Sequence, residues 1–234
     1  MTSTEIKRSV ETAAPLIEVS NLKHAFQEQV VLDIPRWQIE DGQHSLILGP
    51  SGSGKTTLLS ILTGLLKQSE GIVTVLGETL AHIPSRQKDR FRAQHFGVVF
   101  QDNHLISSLT VRENIEITQQ ITGGKADWEW AKHLLNELGI FSKVSKKPNA
   151  LSRGEAQRVA LVCAAMSRPQ ILIADEPTSA LDDHNTEKVI GLFNKLAREV
   201  NSTLLIATHD QRLKRLYDHQ LSLNLLHTEK GEVS

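Results

Sequence analysis

The segment Gly49-Pro50-Ser51-Gly52-Ser53-Gly54-Lys55-Thr56 has the spacing G-x-x-x-x-G-K-[ST], which narrows the possible folds more than any other feature of the chain. Such a loop works only where a strand feeds it and a helix leaves it. Its backbone N–H groups must then turn inward at the positive end of a helix. Both neighbours are present. Ser45–Leu48 reads as an apolar strand, and in Lys55–Leu66 the residues Leu58, Leu59, Ile61, Leu62, Leu65 and Leu66 share one helical face. In that setting Gly49, Pro50, Ser51, Gly52, Ser53 and Gly54 wrap phosphate oxygens, and Thr57 joins the ligand-contacting set. Lys55 is placed to neutralise β- and γ-phosphates, and the Thr56 hydroxyl to ligate Mg²⁺. The loop predicts a nucleotide site.

Around it, apolar strands alternate with helices. Leu16–Val19, Val30–Ile34 and Trp37–Ile39 read as strands, with a turn signal at Asp41-Gly42 before Ser45. Ile72–Leu76 is a strand closed by Gly77, and Gly97–Phe100 is a short one. From there to about Met166 the pattern is mostly helical. Asp127 caps a helix with Ala131, Leu134, Leu135 and Leu138 on its apolar face, and Gly139 stops it. Ile171–Ala174 and Leu204–Thr208 follow as buried strands, separated by a helix around Glu187–Val200. Continuous apolar strands alternating with helices predict a parallel sheet covered on both faces. The expected plan is an α/β core, an N-terminal antiparallel patch, a helical insert at 102–166 and a loose tail at 1–15.

Composition removes several alternatives. Among 234 residues, 26 Lys and Arg face 27 Asp and Glu, a net charge of −1 that speaks against nucleic-acid binding by bulk positive charge. The single cysteine, Cys163, permits neither an intrachain disulfide nor a cysteine-rich zinc site, and is expected to be a small buried hydrophobe. Trp37, Trp128 and Trp130 are expected to be packing residues. No apolar run approaches the roughly 18 residues that span a bilayer. The first residues lack the apolar stretch of a signal peptide, so a soluble, reduced, cytosolic protein is expected.

Two further places carry chemistry. Ile171-Leu172-Ile173-Ala174-Asp175-Glu176 is a buried strand ending in two carboxylates, and ligands of open α/β sheets sit beyond such ends. Asp175 is the expected Mg²⁺ partner and Glu176 the group that orients or deprotonates the attacking water. The second place is Leu151-Ser152-Arg153-Gly154-Glu155, whose Ser152 and Glu155 form a capping box at a helix start. Gly154 there bares backbone N–H groups beside the Ser152 hydroxyl, a second anion site. The chain has one complete phosphate loop, so this second site is expected to meet nucleotide bound to another subunit.

With these residues in view, the sequence resembles the ATP-binding cassette (ABC) ATPases over nearly its whole length. The loop at 49–56 and Asp175-Glu176 match the two nucleotide motifs, and 151–160 resembles the signature sequence. Gln101 after Val98-Val99-Phe100 matches the Q-loop, Ser179-Ala180-Leu181-Asp182 the D-loop, and His209 the switch histidine. Phe26 is placed like the aromatic that stacks on adenine, with a core-packing role as its alternative. The resemblance implies a P-loop NTPase (RecA-like) core with an N-terminal antiparallel β-subdomain and an inserted α-helical subdomain. It also implies a head-to-tail homodimer that sandwiches two ATP molecules. Ser152 and Gly154 would contact γ-phosphate in trans, Asp182 would set geometry across the interface, and Gln101 would sense γ-phosphate and join the Mg²⁺ shell. His209 would hold γ-phosphate and water beside Glu176. Two positions depart from the pattern. Arg153 stands where the signature has a glycine, either adding charge at the interface or slowing the composite site, and Ser179-Ala180 replaces the Gly-Asn common in one branch.

That branch is the one suggested by residues 100–114, which resemble lipoprotein-release, macrolide-efflux (MacB-like) and cell-division (FtsE-like) ATPases. The expected protein is the ATP-hydrolysing subunit of a transporter whose membrane-spanning permease is a separate chain, docked peripherally on the inner face of the cell membrane. A solute-importer subunit and a soluble, non-transport ABC ATPase serving a scaffold such as iron–sulfur assembly are the alternatives.

Overall fold

The computed structural model describes residues 14–121, 127–179 and 181–226. In chain order the strands are β1 (Ile17–Phe26), β2 (Gln29–Ile39), β3 (Ser45–Leu48), β4 (Glu70–Val75), β5 (Glu78–Thr79), β6 (Phe96–Val99), β7 (Ile171–Asp175), β8 (Thr203–Thr208) and β9 (His219–Ser222). The α-helices are α1 (Lys55–Leu62), α2 (Ser85–His95), α3 (Val111–Ile121), α4 (Trp128–Glu137), α5 (Arg153–Ala165) and α6 (Asp183–Glu199). They build a P-loop NTPase fold of mixed α/β type, with one antiparallel sheet and one parallel sheet.

The parallel sheet has the order β6-β7-β8-β3-β9. Its central strands are apolar throughout because both faces are covered. Every residue of β3, β7 and β8 is buried. Pairing aligns Val99 with Ala174, Asp175 with Ala207, and Leu48 with both Thr208 and Ser222. The carboxyl ends of these strands therefore lie along one edge. Gly49, Gln101, Glu176 and His209 all emerge there, beyond strands that no single stretch of sequence connects.

The antiparallel sheet, β2-β1-β4-β5, packs beside this core and alternates buried and exposed residues along β1. Its strands run longer than apolar patterning predicts. β2 continues from Gln29 to Ile39 through Pro35, and Asp41-Gly42 joins the two sheets rather than forming a hairpin between paired strands.

The expected N-terminal stretch of α1 is present, but the helix closes at Leu62. Gly64 adopts φ 71°, and Leu65 beyond it is 57% exposed, so Leu65 and Leu66 do not continue the helical face. Asp127 caps α4 by accepting the Trp130 N–H, with Ala131, Leu134 and Leu135 buried beneath. Trp37 is buried; Trp128 and Trp130 lie under the guanidinium groups of Arg112 and Arg168 at 3.9 and 4.5 Å. Cys163 is half-buried on the lining of a groove rather than fully buried as expected, and desolvation pushes its thiol up to about 12, the behaviour of an inert side chain. The tail expected at 1–15 lies outside the described residues up to position 13.

Candidate functional site

Two glycines explain the path of the phosphate loop. Gly54 has φ 90°, and a Cβ there would come within 2.7 Å of Leu32 and 2.8 Å of the Val31 carbonyl, because β2 crosses closely behind the loop. At Gly49 a Cβ would meet the Ser53 hydroxyl and the Leu223 carbonyl, at 2.3 and 2.6 Å. The Gly49 N–H is tied to the Thr208 carbonyl of β8 at 3.2 Å, which registers the loop against the neighbouring strand.

Lys55 turns back over the loop. Its Nζ donates to the carbonyls of Gly49 and Pro50 at 2.8 and 3.0 Å, and pairs with Glu176 Oε1 at 3.1 Å. The ammonium and the carboxylate are largely withdrawn from water, with side-chain exposures of 6% and 13%. Glu176 itself sits at φ 50°, a left-handed conformation that costs a non-glycine residue of order 1–3 kcal/mol. Its N–H donates to the Ala207 carbonyl at 2.8 Å, which turns the chain sharply at the end of β7.

The second oxygen of Glu176 is equally engaged. Oε2 accepts from the Thr208 hydroxyl at 3.0 Å, the His209 N–H at 3.3 Å and His209 Nδ1 at 2.9 Å. Burial alone would favour the neutral acid. Hydrogen bonds from His209, Lys55 and Thr208, with the Lys55 charge, outweigh it and hold the carboxyl below its ordinary range. Asp175, one residue earlier, goes the other way. Burial dominates and raises it, while Thr56 donates to Oδ2 at 3.1 Å. Asp175 Oδ1 is buried and has no hydrogen-bond partner among the described residues. A free carboxylate oxygen beside a threonine hydroxyl is a donor set that suits a hard divalent cation or its water.

Of the remaining predicted residues, Gln101 and Gly154 share a cavity with Glu176. Gln101 is exposed and is followed by Asn103 and His104, both at positive φ (54° and 47°). It lines a cavity of about 270 Å³ with Arg153, Gly154, Gln157, Glu176 and Ser179, whereas residues 49–57 do not line it. Ser152 caps α5 by accepting the Glu155 N–H at 3.2 Å, and Glu155 Oε2 accepts the Ser152 N–H at 2.7 Å. That hydrogen bond, with the Lys143 ion pair, brings the Glu155 carboxyl down to about 2. Asp182 caps α6 through the Asn185 N–H at 2.8 Å, and Ala180 before it lies outside the described residues. Phe26 is 51% exposed and edge-on to His24 at 4.8 Å, so it is not a core aromatic. Ser51, Gly52 and Thr56 are exposed, Thr57 is half-buried and Ser53 is buried.

Comparison with known proteins decides the family. The sequence profile described as "ABC transporter" matches residues 32–179. The chain belongs to the ABC transporter family. It is an ATP-binding subunit of this ATPase family. It is 34% identical to the lipoprotein-releasing system ATP-binding protein LolD of Bacteroides fragilis, covering 89% of this chain and 97% of that one. It is 36% identical to the macrolide export ATP-binding/permease protein MacB of a Shewanella strain, covering 90% of this chain and 33% of that longer protein. The dimeric ABC transporter cassette MJ0796 matches with a TM-score of 0.78 at 32% identity, over 89% of this chain and 94% of that one. The same cassette in a post-hydrolysis state bound to ADP and Pi matches with the same TM-score.

Within this cassette, several supporting residues escaped prediction. Thr208 binds Glu176 directly. Gln157 Nε2 donates to the Pro177 carbonyl at 2.9 Å, and Asp210 receives Thr178 Oγ1 at 3.1 Å and Arg212 at 2.7 and 2.8 Å. Only the adjacency of Asp210 to His209 hinted at this set. A further groove, about 310 Å³ and mostly apolar, opens between β6 and the helices α3 and α5. Ile106 and Ile121 on its rim are 42% and 72% exposed.

Proposed function

We propose that this chain hydrolyses ATP as a head-to-tail homodimer and drives a separate transmembrane permease in export or mechanotransmission, of the lipoprotein-release or efflux kind. The observation that carries the reading is the division of the nucleotide machinery into two parts. Lys55, Thr56, Asp175, Glu176 and His209 interlock at one sheet edge, while Ser152 and Gly154 start α5 in exposed positions with no bond to the phosphate loop. A second copy supplies what the first half lacks.

In this reading residues 49–57 bind the phosphates through backbone N–H groups and hydroxyls, and Phe26 stacks on adenine. Thr56, Gln101 and Asp175 are the residues that would hold Mg²⁺, which when bound draws charge off the phosphate oxygens. Incoming γ-phosphate takes Lys55 from Glu176, and the freed Glu176 oxygen accepts a proton from the attacking water. His209 holds that water and the γ-phosphate in line, and Thr208 keeps the Glu176 carboxylate oriented. Ser152 and Gly154 of the second copy close over the phosphate, with Asp182 at the seam. Residues 16–234 form the cassette, with 102–166 as its helical arm. The apolar groove beside that arm, with Ile106 and Ile121 uncovered, is the seat for the permease, and the chain works peripherally at the inner membrane face. No helix among the described residues is long and apolar enough to cross a membrane.

Purification from membranes in mild detergent tests this reading. A multi-spanning membrane protein is expected to co-purify and to be lost on Ile121→Asp. Co-purification with soluble proteins alone would sink the transporter assignment and favour the scaffold-serving alternative.

A further inference from the structure

Arg153 has no part in the chemistry above, yet its side chain is committed. Its Nη2 donates to the Ser179 carbonyl at 3.3 Å and lies 3.4 Å from the Ser179 hydroxyl. One helical turn later, Gln157 donates to the Pro177 carbonyl. The start of α5 thus grips the loop that leads from Glu176 to Asp182 at two points. The far side of the same loop is held independently. Thr178 donates to Asp210, and Arg212, clasping Asp210 and Asp183, donates to the Leu181 carbonyl at 3.1 Å.

We propose that Arg153 is a positioning residue for ATP hydrolysis, fixing the exposed start of α5 to the 177–182 loop of its own chain. The proposal rests on the dimer reading, since both pieces lie at the seam with the second copy. Arg153 and Ser179 are also the two sites at which the chain departs from the pattern it resembles, and they touch. The exposed side chain lines the rim of the cavity that holds Gln101, Gly154 and Glu176. In this position its Nη2 is engaged on its own chain. A charge-assisted bond to a carbonyl is roughly twice as strong as a neutral one. Loosening a composite site is costly, because a misplacement of about 1 Å removes on the order of 10²-fold in rate. Here Gln157 remains as a second tether, so the expected loss is smaller.

The test uses the full chain with Arg153→Gly and Arg153→Lys, assayed for ATP turnover and for ATP-dependent dimerisation on a Glu176→Gln background. Arg153→Gly is expected to lower kcat about tenfold, which corresponds to about 1.4 kcal/mol, with KM for ATP unchanged and a smaller dimer fraction. Arg153→Lys, which keeps one donor toward the Ser179 carbonyl, is expected to recover part of the loss. An unchanged kcat overturns the proposal, and a raised kcat overturns it by making Arg153 a brake. A raised KM at constant kcat also overturns it, placing Arg153 on nucleotide. Absence of any ATP-dependent dimer in Glu176→Gln alone would instead reject the dimer reading itself. Thermal unfolding of each variant, expected to show a cooperative transition with a loss of about 1 kcal/mol or less for the glycine placed in the helix, separates these results from misfolding.

Discussion

The two places proposed to bind anions are built in opposite ways. At the phosphate loop, every charged side chain already has an internal partner: Lys55 has Glu176, Glu176 has His209 and Thr208, and Thr56 has Asp175. At the start of α5, the Ser152 hydroxyl and Glu155 satisfy one another and leave the backbone of Gly154 facing outward. The first place is a network of largely buried, mutually bonded side chains; the second is exposed and complete only as a helix cap. A buried network makes each member depend on the rest, whereas an exposed cap is free to meet another molecule.

That contrast yields graded expectations. Glu176→Gln should lower ATP turnover by ~10²–10⁴ while leaving binding at least as tight, because Lys55 loses its internal competitor. Unchanged turnover in a phosphate-release assay would take the general-base role away from Glu176. Lys55→Ala should weaken ATP binding by ~10–100-fold, the scale of one lost hydrogen bond to a charged group, in a fluorescent-nucleotide titration of the isolated chain. If both variants act as expected, the enclosed place is the hydrolytic half. Ser152→Ala probes the exposed half. It should cost about 1 kcal/mol of stability through the lost cap and reduce ATP-dependent dimerisation in sedimentation, with single-chain ATP affinity unaltered. A change in that affinity would erase the distinction between the halves.

The smallest effect is in pH. The Glu155 carboxyl is lowered in the fold to about 2 from an ordinary value of 4.5. A depressed folded-state value means that its stabilising contribution is complete above pH 4.5 and is lost as pH falls toward 2. NMR titration of the Glu155 side chain should therefore show its midpoint near 2, and a midpoint near 4.5 would mean that the capping box is open in solution.

How much of this was readable beforehand depended on whether a residue's role is local. The phosphate loop, the Asp127 cap, the capping box and the apolar strands β3, β7 and β8 each carry their signal within a few residues, and each forms where expected. Helix α2 was not anticipated, because Ser85-Arg86-Gln87-Lys88-Asp89-Arg90 opens a helix with no buried residue and hence no apolar period. Strand β9, with the polar residues His219 and Gln220, hides for the same reason. Leu65 and Leu66 show the converse error. Periodicity continues in the sequence after Gly64 has turned the backbone. At the site, the roles of Thr208, Gln157 and Arg212 arise from contacts across the fold, and neither spacing nor composition encodes them.

The pairing of Lys55 with Glu176 has a consequence for which anions the loop will accept. An uncompensated ammonium among inward-facing N–H groups is a trap for any small anion in the cell. Here a stray monovalent ion must compete with a carboxylate already at 3.1 Å, itself held by three further hydrogen bonds. A triphosphate, offering several charged oxygens to the loop at once, is the kind of ligand equipped to win that exchange. The chain carries its own competitor for Lys55, and that carboxylate is the one proposed to act once the substrate has displaced it.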